Sequence, residues 1–162
     1  RKFLLYDTFT GMPKPSEQDG NDVHKRYNYI KAGKEASSYY GYNENLLEDV
    51  KSRFSMVGID VKENNIHFHK GLFKETLKIN DPVVYAHIDA DWYDSTMQPL
   101  QEIVPNVVLN GYVVIDDYQT YSGCRKAVNE YFNVTAVQVQ RGVQAKNMWL
   151  KMKERLVIKR TI

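Results

Sequence analysis

A single cysteine, Cys124, rules out an internal disulfide. That usage fits a reducing compartment, and a cytoplasmic location is expected. No apolar run approaches the ~20 residues that a membrane-spanning helix needs, so no membrane partner is expected. Excess charge of one sign is also missing. Lys and Arg total 22 against 20 Asp and Glu, a formal charge of +2 with no dense basic run, which argues against a nucleic-acid partner. No secretory leader is visible, and a chain that begins at Arg1 is expected to be a piece of a longer protein. What is present suits one globular domain over residues 1–162, with 43% hydrophobic and 26% charged residues and enough chain for a sizeable core. Tyrosine is the one residue in surplus, at twelve, and many of them fall between residues 27 and 42.

Short apolar runs alternate with longer helical patterns, the signature of a layered α/β fold. Phe3-Leu4-Leu5-Tyr6 reads as a buried strand ending at Asp7, after which Gly11, Pro13 and Pro15 break the chain. Residues 16–44 are polar with weak periodicity and read as a long loop or partly helical lid, so that 13–45 forms the lid and acceptor-loop region. Leu46, Leu47, Val50, Phe54 and Val57 have helical spacing, with Gly58 where the helix would stop. Ile66–His69 reads as a strand closed by Lys70-Gly71, and Pro82 opens another that runs to Asp89. Asp94 or Ser95 is expected to cap a helix carrying Met97, Leu100, Ile103 and Val104, with Pro99 kinking it or marking an early turn. Asn110-Gly111 reads as the turn into a strand over 112–116, and residues 123–132 as a helix. Ala136–Gln140 and Met148–Met152 are expected to be two last strands, joined as a hairpin around Arg141-Gly142.

Aspartates close two of these strands. Val83–Ile88 leads into Asp89-Ala90-Asp91, and Tyr112–Ile115 into Asp116-Asp117. In an open parallel sheet the carboxyl ends of neighbouring strands converge on one crevice, where ligands bind. Carboxylates gathered there repel one another and resist desolvation, so a cation would hold them together. Oxygen donors of this kind suit magnesium or calcium better than a soft metal. The alternative is that each Asp caps the helix or turn that follows.

Other residues divide between chemistry and packing. Asp7, at a strand end before a Gly/Pro loop, suits hydrogen bonding to ribose hydroxyls or an Asx-turn. His67 and His69 share a strand face and read as a surface or packed pair more readily than as metal ligands; His87 shares a face with Asp89 and Asp91. Cys124 opens a helix, where a thiol pKa can fall, yet no Cys/His signature surrounds it. Tyr27, Tyr29, Tyr39, Tyr40 and Tyr42 line an acceptor pocket or hold a polar loop to the body.

Four ordered blocks carry a specific resemblance. His87-Ile88-Asp89-Ala90-Asp91-Trp92-Tyr93-Asp94-Ser95-Thr96 resembles the "xDxDxYxST" segment of the macrocin O-methyltransferase family. Asn110–Tyr118, followed by Gly123-Cys124-Arg125-Lys126-Ala127-Val128, is similar to its "GGxVxxDDY…GCRxAV". Asp7–Pro13 matches "DSFxGxP", and Lys70–Leu77 matches "KGWFxDTL", with Leu72 where the family has Trp. The resemblance runs from residue 3 to about 132. It implies an α/β class I methyltransferase: a Rossmann-like three-layer sandwich with a mostly parallel sheet and a C-terminal antiparallel hairpin, here N-terminally truncated. It implies S-adenosyl-L-methionine and Mg2+ as cofactors and a small hydroxylated acceptor, such as a deoxysugar of a natural product. Carried over, Asp89, Asp116 and Asp117 hold the metal. Asp7, Lys70, Gly71, Leu72 and Asp89 face the cofactor, and Asp89 and Asp91 are the catalytic pair. Asp91, His24 or a lid tyrosine would serve as the base. A homo-oligomer is left open.

One part of the family pattern is missing. The glycine-rich turn after the first strand should precede Asp7 by more than the six residues available, and Gly11 and Gly20 follow the second strand instead. In this fold the first strand lies between the second and the fourth, so its absence leaves two inner edges unpaired. Two competing readings follow. One is a catalytically inactive methyltransferase-like interaction module. The other is a phosphatase-like domain built on the Asp89-Ala90-Asp91 spacing.

Overall fold

The computed structural model describes residues 1–32, 45–153 and 155–161. Tyr39, Tyr40 and Tyr42 of the expected acceptor lid lie outside the described residues. The chain divides into two compact units, residues 1–14 with 26–77, and residues 15–25 with 78–162.

The first unit is built on two parallel strands, β1 (Phe3–Asp7) and β2 (Ile66–Lys70), paired from Phe3 opposite Ile66 to Asp7 opposite Lys70. Helix α2 (Leu46–Met56) comes between them in the chain and ends as expected, with Gly58 at φ +76°, a conformation glycine adopts without strain. Phe68 of β2 packs edge-on against Phe54 of α2 and against Phe9, at ring separations of 5.9 and 6.3 Å. A one-turn helix, α3 (Phe73–Thr76), follows β2. Helix α1 (Asn21–Lys31) gives residues 21–25 to the second unit and 26–31 to the first, which makes part of the expected lid helical.

The second unit holds a five-stranded sheet in the order β3-β4-β7-β6-β5. Its strands are β3 (Val83–Ile88), β4 (Val107–Ile115), β5 (Val143–Ala145), β6 (Met148–Met152) and β7 (Leu156–Arg160). Only β3 and β4 run parallel here; β4–β7, β7–β6 and β6–β5 are antiparallel. With β1–β2 also parallel, the architecture is α/β as expected, but this sheet is mixed where a mostly parallel one was expected. β1 and β3 belong to different sheets.

Cross-strand register explains which face is buried. Ala86, Val113, Ile158, Leu150 and Val143 form one row across the sheet, with Val113, Ile158 and Leu150 fully buried. Helices α4 (Tyr93–Ile103), α5 (Ser122–Phe132) and α6 (Ala136–Arg141) cover this face with Leu100, Ile103, Val128, Phe132 and Val139. The alternate row on the other face is Tyr85, Tyr112, Lys159, Trp149 and Gln144. Its rings meet solvent: Tyr85 is 61%, Tyr112 38% and Trp149 42% exposed.

Three expectations are overturned. Residues 136–140 are helical, because Thr135 and Gln138 form a reciprocal capping box that starts α6 despite an alternating apolar pattern. The hairpin therefore joins β5 to β6 around Lys146-Asn147, both at positive φ as a tight hairpin turn requires. The sheet continues into β7, a strand not anticipated. Asn110-Gly111 is not a turn between elements but an irregularity inside β4, where the register shifts between the Val83 and Tyr85 pairings. Among the described residues no helix is long and apolar enough to cross a membrane.

Candidate active site

Parallel pairing of β3 with β4 sets the site. Ile88 and Ile115 are register partners, and the Asp116 amide donates to the Ile88 carbonyl at 3.0 Å. The residues that follow, Asp89 on one strand and Asp116-Asp117 on the other, therefore emerge side by side. One carboxylate oxygen from each of Asp89, Asp116 and Asp117 lies within 4.8 Å of the other two. None of these aspartates is the N-cap of the helix that follows: Trp92 and Tyr121 hold the cap positions of α4 and α5.

The electrostatics of this cluster are unfavourable without a counter-ion. Asp117 Oδ2 is buried and has no hydrogen-bond partner among the described residues. Burial, with Asp91 and Asp89 crowding it, pushes the Asp117 carboxyl up to about 8. Asp91 reaches the cluster from a left-handed backbone, φ +59°, in the turn where the Trp92 amide bonds the Ala90 carbonyl. A hard divalent cation fits this donor set, since it would satisfy the orphaned oxygen and offset the mutual repulsion. Arg155 already makes an ion pair with Asp116. It lies between β6 and β7, beyond any motif, and the sequence reading missed it.

The remaining candidates are placed as follows. In the first unit, Asp7 Oδ1 accepts from the Phe9 amide at 2.5 Å, so the Asx-turn is formed and uses one carboxylate oxygen. Thr8, Thr10, Gly11, Met12, Pro13, Lys31, Gly71, Leu72 and Glu75 line a cleft of about 360 Å3. Gly71, at φ +146°, bends the chain there, while Lys70 closes β2 opposite Asp7. His69 stacks on Tyr6 at 4.4 Å, and His67 bonds Asn65, so the pair serves packing and surface contacts. His24 Nε2 lies 3.1 Å from the Ser16 carbonyl, which can only accept, so that nitrogen carries its hydrogen. Burial pushes the Cys124 thiol up to about 12, which makes it a packing residue. Tyr93, from the motif, donates to Glu130 at 2.6 Å, and that bond raises its phenol to about 12.

Two further carboxylates escaped the sequence reading. Asp19, buried, accepts from the Tyr93 amide at 2.8 Å and from the Ser16 amide at 3.0 Å. Asp22 accepts from the Ser122 amide at 2.9 Å and its hydroxyl at 2.5 Å. Burial alone would raise Asp22, but its bonds from Ser122 outweigh that and lower it. These partners stand 74 and 100 residues away in the chain, so no local pattern signals them.

The chain is similar in sequence and in fold to known proteins. The family described as Macrocin-O-methyltransferase (TylF) matches residues 1–145. Demethyldecarbamoylnovobiocin O-methyltransferase of Streptomyces niveus is 32% identical over 136 residues, 81% of this chain and 47% of that protein. The 8-demethyl-8-(2,3-dimethoxy-alpha-L-rhamnosyl)-tetracenomycin-C 4'-O-methyltransferase of Streptomyces olivaceus is 29% identical over 133 residues, 81% of this chain and 47% of that protein. The chain thus spans about half the length of the curated relatives it matches. The solved O-methyltransferase NovP superposes with a TM-score of 0.70 at 24% identity, covering 100% of this chain and 61% of that one. A calicheamicin methyltransferase follows at a TM-score of 0.51 and 15% identity, covering 99% and 60%. Together with the four motif blocks and the α/β layers, the match over residues 1–145 means that the chain belongs to the macrocin O-methyltransferase family.

Proposed function

We propose that this chain acts in S-adenosylmethionine- and magnesium-dependent O-methylation of a small hydroxylated molecule, a deoxysugar of a natural product being the favoured class. The observation that carries the reading is the convergence of Asp89, Asp116 and Asp117 around a buried carboxylate oxygen without a partner among the described residues. The acceptor class is suggested by the relatives, one of whose names specifies a rhamnosyl natural product.

When bound, S-adenosylmethionine supplies the methyl group and magnesium lowers the pKa of the acceptor hydroxyl and fixes its direction. The chain's own groups do the rest. Asp89, Asp116 and Asp117 hold the cation, and Asp89 with Asp91 forms the catalytic pair. Asp91, which crowds Asp117 from the turn after β3, takes the hydroxyl proton. His24 is less suited, because its Nε2 already donates to Ser16. Asp7 would accept from the ribose with the oxygen not used in its Asx-turn, and Lys70, Gly71 and Leu72 would flank the adenine. Transfer from a sulfonium needs the oxygen aligned behind the methyl carbon, so alignment supplies much of the rate.

A second reading, a methyltransferase-like module without turnover, is favoured by one observation: Arg155 already pairs with Asp116. Methyl transfer from labelled S-adenosylmethionine to a rhamnosylated acceptor separates the two. We expect transfer that EDTA abolishes, that added magnesium restores, and that Asp91→Asn reduces by about 100-fold or more. Transfer that is indifferent to EDTA would remove the metal from the mechanism, and no transfer under any condition favours the second reading.

A further inference from the structure

The first turn of a helix presents amides with no acceptor inside the helix, and carboxylates are among their best partners. In α4 and α5 the residues at the cap positions, Trp92 and Tyr121, make no side-chain cap. The acceptors come from one short segment elsewhere in the chain. Asp19 takes the first amide of α4, Tyr93, and Asp22 takes the first amide of α5, Ser122. These two helices directly follow the strands that end in Asp89 and in Asp116-Asp117. The segment around residues 15–25 thus ties together the two turns that carry the cluster.

Two glycines mark how closely this strap is seated. A Cβ on Gly123 would collide with Asp19 Oδ1 and come within 2.9 Å of the Tyr93 amide nitrogen. A Cβ on Gly20 would collide with Ser122 Oγ and come within 2.7 Å of Asp22 Oδ1. Neither glycine has a positive φ, so close approach, not backbone conformation, is what excludes a side chain at each. Asp19 is 7% exposed, with one oxygen on Tyr93 and the other on Ser16, so it is fixed at both ends. Lys126 adds a third tether through the Gln18 carbonyl and side chain.

We infer that Asp19 is a positioning residue for the aspartate site: by pinning segment 15–25 to the start of α4, while Asp22 pins it to α5, it sets the spacing between Asp89 and the Asp116-Asp117 pair. This rests on the proposed cation site. Asp19 touches neither metal nor substrate. It acts through the Tyr93 amide on the turn from Asp89 to Trp92, and the cluster keeps its geometry only while the turns after β3 and β4 stay in register.

Binding of Mn2+ to the full chain, followed by electron paramagnetic resonance, tests this without turnover. Asp19→Ala should weaken Mn2+ binding by about tenfold, the usual cost of losing an outer-shell support. Asp19→Asn keeps an oxygen for the Tyr93 amide, gives up only the Ser16 bond inside the segment, and should stay within about threefold of the parent, because Asn caps as well as Asp. Gly123→Ala displaces the carboxylate without removing it and should weaken binding in the same direction. Combined with Asp19→Ala, that effect should shrink without vanishing, because no carboxylate is left to displace while the added Cβ still comes within 2.9 Å of the Tyr93 amide nitrogen. Parent-like Mn2+ binding in both Asp19→Ala and Gly123→Ala would overturn the inference while leaving the cation site standing. So would an Asp19→Asn variant as weak as Asp19→Ala. Failure of the parent itself to bind Mn2+ would overturn the cation site and the inference with it.

Discussion

Replacing Asp117 by Asn should stabilise the metal-free protein and destabilise the metal-bound one, an inversion that a purely structural carboxylate would not produce. The Asp117 carboxyl stands at about 8, against 3.8 unperturbed. Because the folded value lies above the unfolded one, ionisation of Asp117 opposes folding. The penalty is absent below about pH 4, grows as pH rises toward 8, and is constant above that. Asp117 is only half-buried and solvent screens it, so we discount the shift to about 1–2 kcal/mol at pH 8. Asn has nearly the same shape and never ionises, so with EDTA the Asp117→Asn chain should exceed the parent by that amount at pH 8 and match it near pH 4. Magnesium reverses the order, since a ligand at 100 times its dissociation constant stabilises the folded state by about 2.7 kcal/mol. The variant, lacking one anionic donor, should gain far less. Urea unfolding followed by far-UV circular dichroism, with EDTA and with magnesium at both pH values, reads all four quantities. Equal stability of parent and variant at pH 8 in EDTA, with equal gains from magnesium, would refute the account of the site.

Two further outcomes follow from individual side chains. Arg155 occupies Asp116 through a part-exposed ion pair, so Arg155→Ala should free that carboxylate and tighten Mg2+ binding by about threefold, consistent with the modest worth of such pairs; weaker binding in a calorimetric titration would show that Arg155 supports the site instead. Cys124 is 1% exposed and its thiol is held up to about 12, so it should not react with a disulfide reagent at pH 8 in native buffer and should react fully in urea; rapid native labelling would contradict the packing described around α5.

Elements defined by their own residues were legible in the sequence. β1, β2, β3 and α2 lie where the apolar runs and the helical spacing put them, and Gly58 ends α2 for the reason expected. But β1 is not the buried strand its apolar run suggests, with Phe3 65% and Leu4 38% exposed. The aspartate cluster was legible for a similar reason: strand ends are local, and parallel pairing does the remainder. What escaped depends on competition or on distance. Residues 136–140 alternate apolar and polar as a strand would, yet the Thr135–Gln138 box, only four residues of sequence, prevails. Local pattern points to Asp94 or Ser95 as the cap of α4, whereas the acceptor is Asp19, 74 residues upstream of Tyr93. Arg155 likewise reaches Asp116 from 39 positions along the chain, and no periodicity encodes such a meeting.

The row Tyr85, Tyr112, Lys159 and Trp149 has a consequence for the behaviour of the material in solution. Ring-rich surface of this kind favours molecular encounters, and a formal charge of +2 offers little Coulombic repulsion to offset them. The second virial coefficient of this polypeptide at neutral pH should therefore be negative. Charge reversal at Lys159 should leave it negative, whereas a pair of lysines in place of Tyr85 and Trp149 should turn it positive.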